Sequence, residues 1–194
     1  MDDQITLRVF KEEDLPFLDR ICIDQDAIGP FEWAGFQDVR ARRRRWEADG
    51  YVGADSSALA VALPDGTVIG IASWEAKDRG GPAGGCYEIG MALLPEHRGR
   101  GFGTAGQRLL VRHLFAYTFA RRLEAQTDAE NIAEQKVLER IGFRREGLLR
   151  DVRFRHGVWR DMVIYGLLRD ELPASPGTGS DRAPNPVDGL SGTG

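Results

Sequence analysis

One continuous stretch constrains this chain more than any other. Cys86 to Leu94 is a mostly apolar run and reads as a strand. Arg98-Gly99-Arg100-Gly101-Phe102-Gly103-Thr104 follows as a glycine- and arginine-rich loop. Ala105 to Ala120 then reads as a helix, with Leu109, Leu110, Leu114 and Phe115 on one face. Strand, glycine loop and helix in that order cradle a phosphate. Glycines let the backbone turn its N–H groups inward, and a helix N-terminus adds free donors and a positive dipole end. Arg98 and Arg100 add charge-assisted donors. The loop lacks the Gly-Lys-Ser/Thr of a Walker site. Its glycines alternate, which departs from the G-x-G-x-x-G of a dinucleotide fingerprint.

Around this stretch the chain alternates between short strands and helices. Ile5–Val9 reads as a strand and Lys11–Ile23 as a helix with Pro16 in its first turn. The loop that follows carries Phe31, Trp33 and Phe36, three rings that either wall a pocket or plug the core. Asp38 caps a helix running to about Ala48. Its four adjacent arginines, Arg42 to Arg45, point in all directions. They are either a solvated surface or, in part, a contact for an acidic substrate or a coenzyme phosphate. Ser57–Leu63 and Thr67–Trp74 form a hairpin about Pro64-Asp65-Gly66. Arg122–Thr127 is a strand, Asn131–Ile141 a helix closed by Gly142, and Arg144–Phe154 with Val158–Leu168 a second hairpin turning at His156-Gly157. The result is a single mixed α/β domain of about seven strands flanked by helices over residues 1–172. A Pro/Gly/Ser-rich tail at 173–194 is expected to be disordered.

Composition excludes several classes. With 194 residues, 42% hydrophobic and 29% charged, the chain can bury one core. A net charge of −4 gives no electrostatic case for nucleic-acid binding. The three histidines and two cysteines show no metal-ligand spacing, so no metal is expected. No apolar run reaches a membrane span and the N-terminus has no secretory pattern, so the expected location is cytoplasmic without membrane association.

The motifs Arg98, Gly101 and Gly103 after a strand, Glu88-Ile89-Gly90, Leu94-Pro95-Glu96-His97, and Asn131 followed by Gly142-Phe143 resemble those of the GCN5-related N-acetyltransferases (GNAT). Within them the resemblance is to the ribosomal-protein N-terminal acetyltransferase (RimJ/RimL-like) branch. It covers about residues 4–170 and implies acetyl-CoA as donor and a primary amine, on a protein N-terminus or a small molecule, as acceptor. It further implies that backbone groups of Ala92, Leu93 and Leu94 hold the pantetheine and thioester, with Leu93 an oxyanion donor. N–H groups of Gly99 to Thr104 would hold the diphosphate, with Asn131 and Lys136 near the coenzyme; for Lys136 a solvated helix position is the alternative. Glu88, a half-buried carboxylate on an apolar strand, suits the base that takes the ammonium proton, or else is structural. Phe31, Trp33, Phe36 and Trp159 are the candidate acceptor-pocket rings.

The chain departs from the family where the leaving thiolate would be protonated. Leu138 stands at the usual Tyr position and Glu134 at the usual Ser position. Glu134 therefore either works through water, binds the amine, or faces solvent. A coenzyme-binding accessory protein without turnover is the alternative reading. The exposed edge of the C-terminal hairpin offers a surface for a homodimer.

Overall fold

The computed structural model describes residues 4–33 and 35–172. The tail expected at 173–194 lies outside them. Seven strands form one sheet in the order β1-β2-β3-β4-β5-β7-β6. They are β1 Thr6–Arg8, β2 Ser56–Ala62, β3 Val68–Ala76, β4 Cys86–Leu93, β5 Arg122–Asp128, β6 Arg144–Arg155 and β7 Val158–Leu168. The helices are α1 Leu15–Ile23, α2 Gln25–Ile28, α3 Val39–Asp49, α4 Phe102–Tyr117 and α5 Ile132–Ile141. Among the described residues no helix is long and apolar enough to cross a membrane.

Strand alternation divides the core in two. Val61, Ile69 and Ile89 turn toward α4 and α5, where they meet Leu110, Leu114 and Leu138. Ala58, Ala60 and Leu94 turn the other way and pack with Leu18 and Ile21 of α1 and with Tyr51. Each face thus buries an apolar layer, which explains why β2 reads as nearly all apolar rather than alternating.

The long helix starts three residues earlier than its apolar spacing suggests. Gly101 adopts a left-handed φ of 84° as its N-cap, and Gly103 and Thr104 become its first turn. A 3-10 turn over Glu12–Asp14 replaces the start of the helix expected from Lys11. Pro95 ends β4 at Leu93, one residue short of the expected Leu94.

The feature that positions the site is a divergence of strands. β4 pairs with β3 along its length, from Tyr87 with Ala76 to Leu93 with Gly70. With its parallel neighbour β5 it pairs only from Cys86–Arg122 to Glu88–Glu124. β5 stays paired with β7 through Asp128, so β4 and β5 part beyond Glu88.

Candidate active site

A cleft of about 1020 Å³ follows this gap, from the loop after α2 past β4 to α5. At one end lies the N-terminus of α4. The first N–H groups of a helix have no partner inside it, and here no side chain caps them. Gly99, with a left-handed φ of 71°, and Gly101 turn the loop, and both line the cleft with Gly103 and Thr104. An anion is the natural ligand of such a turn.

The arginines behave differently from expectation. Arg98 does not reach freely for a ligand. Its Nε donates to the Leu93 carbonyl at 2.8 Å, and its Nη2 donates to those of Ala27 at 2.8 Å and Asp26 at 3.3 Å. It ties the end of β4 to α2, and burial lowers its pKa from the ordinary arginine value. Arg100 lies over the Phe102 ring, 5.0 Å from its centroid, and the Phe102 side chain belongs to the core. Arg98 thus braces the loop with its side chain, while the stacked Arg100 keeps its N–H donors.

Along β4 the unbroken antiparallel ladder sorts the backbone groups. The N–H of Leu94 donates to Ile69 of the sheet at 2.9 Å, which removes it from the ligand-holding set expected above. Alternation gives Ala92 the same direction, toward β3. It aims the N–H groups of Met91 and Leu93 into the gap.

Glu88 sits where the strands begin to part, its side chain about a quarter exposed. Gln126 Nε2 donates to its Oε2 at 3.0 Å, and Lys77 Nζ lies 3.5 Å from the same oxygen. Glu75, Glu88 and Glu124 stand in one cross-strand row. Like charges opposite one another repel, and cations separate them. Lys77 also lies 3.6 Å from Glu75. The buried Glu124 is gripped by Arg79 at 2.6 Å and Arg122 at 2.7 Å, and hydrogen bonds from Arg79 above all hold its pKa at about 2.

Across the gap, Asn131 caps α5. Its Oδ1 accepts from the Glu134 N–H at 3.3 Å and its Nδ2 donates to Thr127 Oγ1 at 3.1 Å. Glu134 lines the cleft and accepts from Gln107 Nε2 at 2.7 Å. Burial raises its pKa, and the charge of Glu32 adds to the rise. Lys136 is exposed and does not line the cleft; Arg140, one helical turn further, does.

Of the four aromatic candidates only Phe31 lines the cleft. Trp33 is buried, with its ring edge-on to Phe36 at 5.5 Å, so it fills space beneath the loop. Phe36 is 85% exposed, and Trp159 packs on Phe154 at 5.4 Å on the outer surface of the hairpin. Sequence reasoning missed Gln126, Lys77, Gln107 and Arg140. Gln126 lies two residues beyond Glu124 and so on the same face of β5. Arg140 follows Ala133 and Val137 at helical spacing.

A paired sheet split beside an uncapped helix N-terminus is the architecture of a transferase that grips a long phosphorylated donor. Comparison with known proteins agrees. Residues 4–144 match the acetyltransferase (GNAT) domain. The uncharacterized N-acetyltransferase p20 of Bacillus licheniformis is 27% identical over 172 residues, 87% of this chain and 95% of that one. Mycobacterium smegmatis RimJ in complex with CoA-disulfide superposes with a TM-score of 0.72 at 26% identity, covering 88% of this chain and 85% of that one. Spermidine N-acetyltransferase from Vibrio cholerae, solved with CoA and spermine, shares the fold with a TM-score of 0.76 at 19% identity over 87% and 97% of the two chains. The chain belongs to the GNAT acetyltransferase family, with a RimJ-like relation, and is an N-acetyltransferase.

Proposed function

We propose that the protein moves the acetyl group of acetyl-CoA to a primary amine, on a protein N-terminus or a small molecule, by direct attack within a ternary complex. The observation that carries this is the uncapped N-terminus of α4 opening onto the gap between β4 and β5. The residues present fit the coenzyme. Main-chain N–H groups from Gly99 to Thr104 hold the diphosphate, and Arg140 supplies a cation on the facing helix. Asn131, fixed by its two hydrogen bonds, lies along the route of the pantetheine arm. Acetyl-CoA supplies an activated acyl group.

This chain's own groups then do three things. Glu88, held by Gln126 and Lys77, takes the ammonium proton through water and leaves the nitrogen a lone pair. The N–H of Leu93 faces the negative charge that develops on the carbonyl oxygen. Glu134, whose pKa burial raises above the ordinary carboxylate value, returns a proton to the departing sulfur in place of the absent Tyr and Ser. Holding both reactants in one cleft contributes the largest part of the rate.

The test is calorimetric titration with acetyl-CoA. Gly103→Asp places a carboxylate in the first turn of α4, where it suits the helix dipole but repels a diphosphate. A Cβ at Gly103 meets nothing nearer than Leu93 Cδ1 at 3.7 Å. The variant is expected to melt like the parent and to lose coenzyme binding. Equal affinity in the two proteins would remove the basis of the assignment.

A further inference from the structure

Two of the four adjacent arginines are only partly exposed. Arg42 and Arg45, one helical turn apart on α3, both line the cleft, while Arg43 and Arg44 are exposed and Arg44 pairs with Asp38. Arg45 is fully engaged. It donates to the Ser56 carbonyl at 2.9 Å and to Ser56 Oγ at 3.0 Å, lies 3.9 Å from Asp49, and stacks over Tyr51 at 4.7 Å. Arg42 is not. Its Nη2 donates to Gln37 Oε1 at 3.0 Å and its guanidinium lies beside the Tyr51 hydroxyl, while its Nε is buried without a partner. Among the described residues no carboxylate lies within ion-pair distance of it. A guanidinium that lines a cleft without a carboxylate partner presents an unneutralised charge that suits an anion.

The sheet relates this side of the cleft to Glu88. Ser56, the residue that Arg45 holds, stands in register with Glu75, and Glu75 with Glu88. Two strand spacings, about 10 Å, therefore separate Ser56 from Glu88, and the arginine side of the cleft lies beyond Ser56. This end is remote from the diphosphate loop, which begins beyond the far end of β4. The loop itself is served by helix N–H groups, so the diphosphate does not call on Arg42.

Resting on the acetyl-transfer reading above, we propose that the acceptor is an amine that also carries an anionic group remote from the reacting nitrogen, and that Arg42 selects it. Such a molecule is zwitterionic. An extended tripeptide with a free carboxylate holds its two charges about 10 Å apart, at about 3.3 Å per residue, whereas a polycationic amine presents a like charge to Arg42.

The experiment compares kcat/KM for three acceptors at fixed acetyl-CoA: tri-alanine, its C-terminal amide, and spermidine. Calorimetric binding of acetyl-CoA is measured on the same preparation. Tri-alanine is expected to exceed the other two by at least tenfold. Arg42→Gln is expected to lower tri-alanine turnover by about tenfold and amide turnover by less than twofold, with Arg42→Lys restoring most of the loss. Melting temperatures guard against a folding defect. Equal use of acid and amide, faster turnover of spermidine, a parallel loss on both peptides in Arg42→Gln, or no acetylation by protein that binds acetyl-CoA would each overturn the proposal. Failure to bind acetyl-CoA would instead overturn the functional reading beneath it.

Discussion

Arg155, near the end of β6, forms a buried ion pair with Asp128, the last residue of β5. Their side chains are 6% and 1% exposed. The same guanidinium donates to the Phe31 carbonyl and lies 5.5 Å from the Phe31 ring centroid. One cation thus fastens the hairpin, the splayed end of β5 and the cleft-lining loop together. Removing one member of such a pair leaves a buried charge alone and costs about 3–5 kcal/mol. Arg155→Met is therefore expected to lower unfolding stability by that amount in a denaturant titration, and to raise the acceptor KM by releasing Phe31. Arg153 pairs with Glu32 at 3.5 Å, both about 44% exposed, and its replacement by Gln is expected to cost less than about 1 kcal/mol. Equal costs for the two variants would show that the Arg155 pair is not the fastening point.

Glu124 gives the protein a predictable acid limb. Its folded pKa of about 2 lies below the ordinary 4.5 because Arg79 and Arg122 donate to it. A carboxylate with a depressed folded pKa contributes stability that is complete above its unfolded pKa and is lost as pH falls toward the folded one. Stability should therefore decline between about pH 5 and pH 2. The contribution is about 3 kcal/mol at neutral pH, from 1.36 kcal/mol per unit. Glu124→Gln should remove most of that slope while being less stable than the parent at pH 7. A parallel pair of stability–pH curves would contradict this assignment.

The contrast between what the residues announced and what they concealed has a physical basis. Every strand and the longer helices were legible because their signal is local: alternation in β1, helical spacing in α4, and caps at Asp38 and Gly142, whereas the four-residue α2 was not. The glycine loop was legible for the same reason. Side-chain destinations were not, because they depend on partners distant in sequence. Arg98 looks like a phosphate ligand until Asp26 and Ala27, more than 70 residues earlier, present their carbonyls to it. Trp33 and Phe36 sit in one loop, yet one is 8% and the other 85% exposed, since a loop has no periodicity to assign its faces. Gln126 becomes a partner of Glu88 only because β5 lies beside β4.

Arg98 offers a direct separation of bracing from binding. Three carbonyls share its planar fork, a geometry that a lysine cannot match. Arg98→Lys is expected to lower the melting temperature by several degrees, from the loss of one or two bonds worth about 1 kcal/mol each. Affinity for acetyl-CoA should fall only as the loop loosens, with an unchanged dependence on salt. A weaker salt dependence at an unaltered melting temperature would mean that the guanidinium contacts phosphate after all.

Glu134 links stability to turnover, and the two should move in opposite directions. Burial in the cleft raises its folded pKa above the ordinary carboxylate value, with Glu32 adding to the rise while the hydrogen bond from Gln107 opposes it. A carboxyl with a raised folded pKa is more readily ionised in the unfolded chain. Its ionisation therefore costs stability as pH rises past the unfolded pKa, and the cost is complete above the folded one. Glu134→Gln removes that titration and keeps a side chain able to meet Gln107, so at pH 8 the variant should melt no lower than the parent. If the protonated carboxyl delivers the proton to the leaving sulfur, the same variant loses about 10²-fold in kcat. The fall of kcat at alkaline pH should vanish with it, while the KM for acetyl-CoA changes little. A variant that keeps the parent's kcat and its alkaline limb would make Glu134 a wall of the cleft rather than a proton donor, and would leave the thiolate to depart unprotonated.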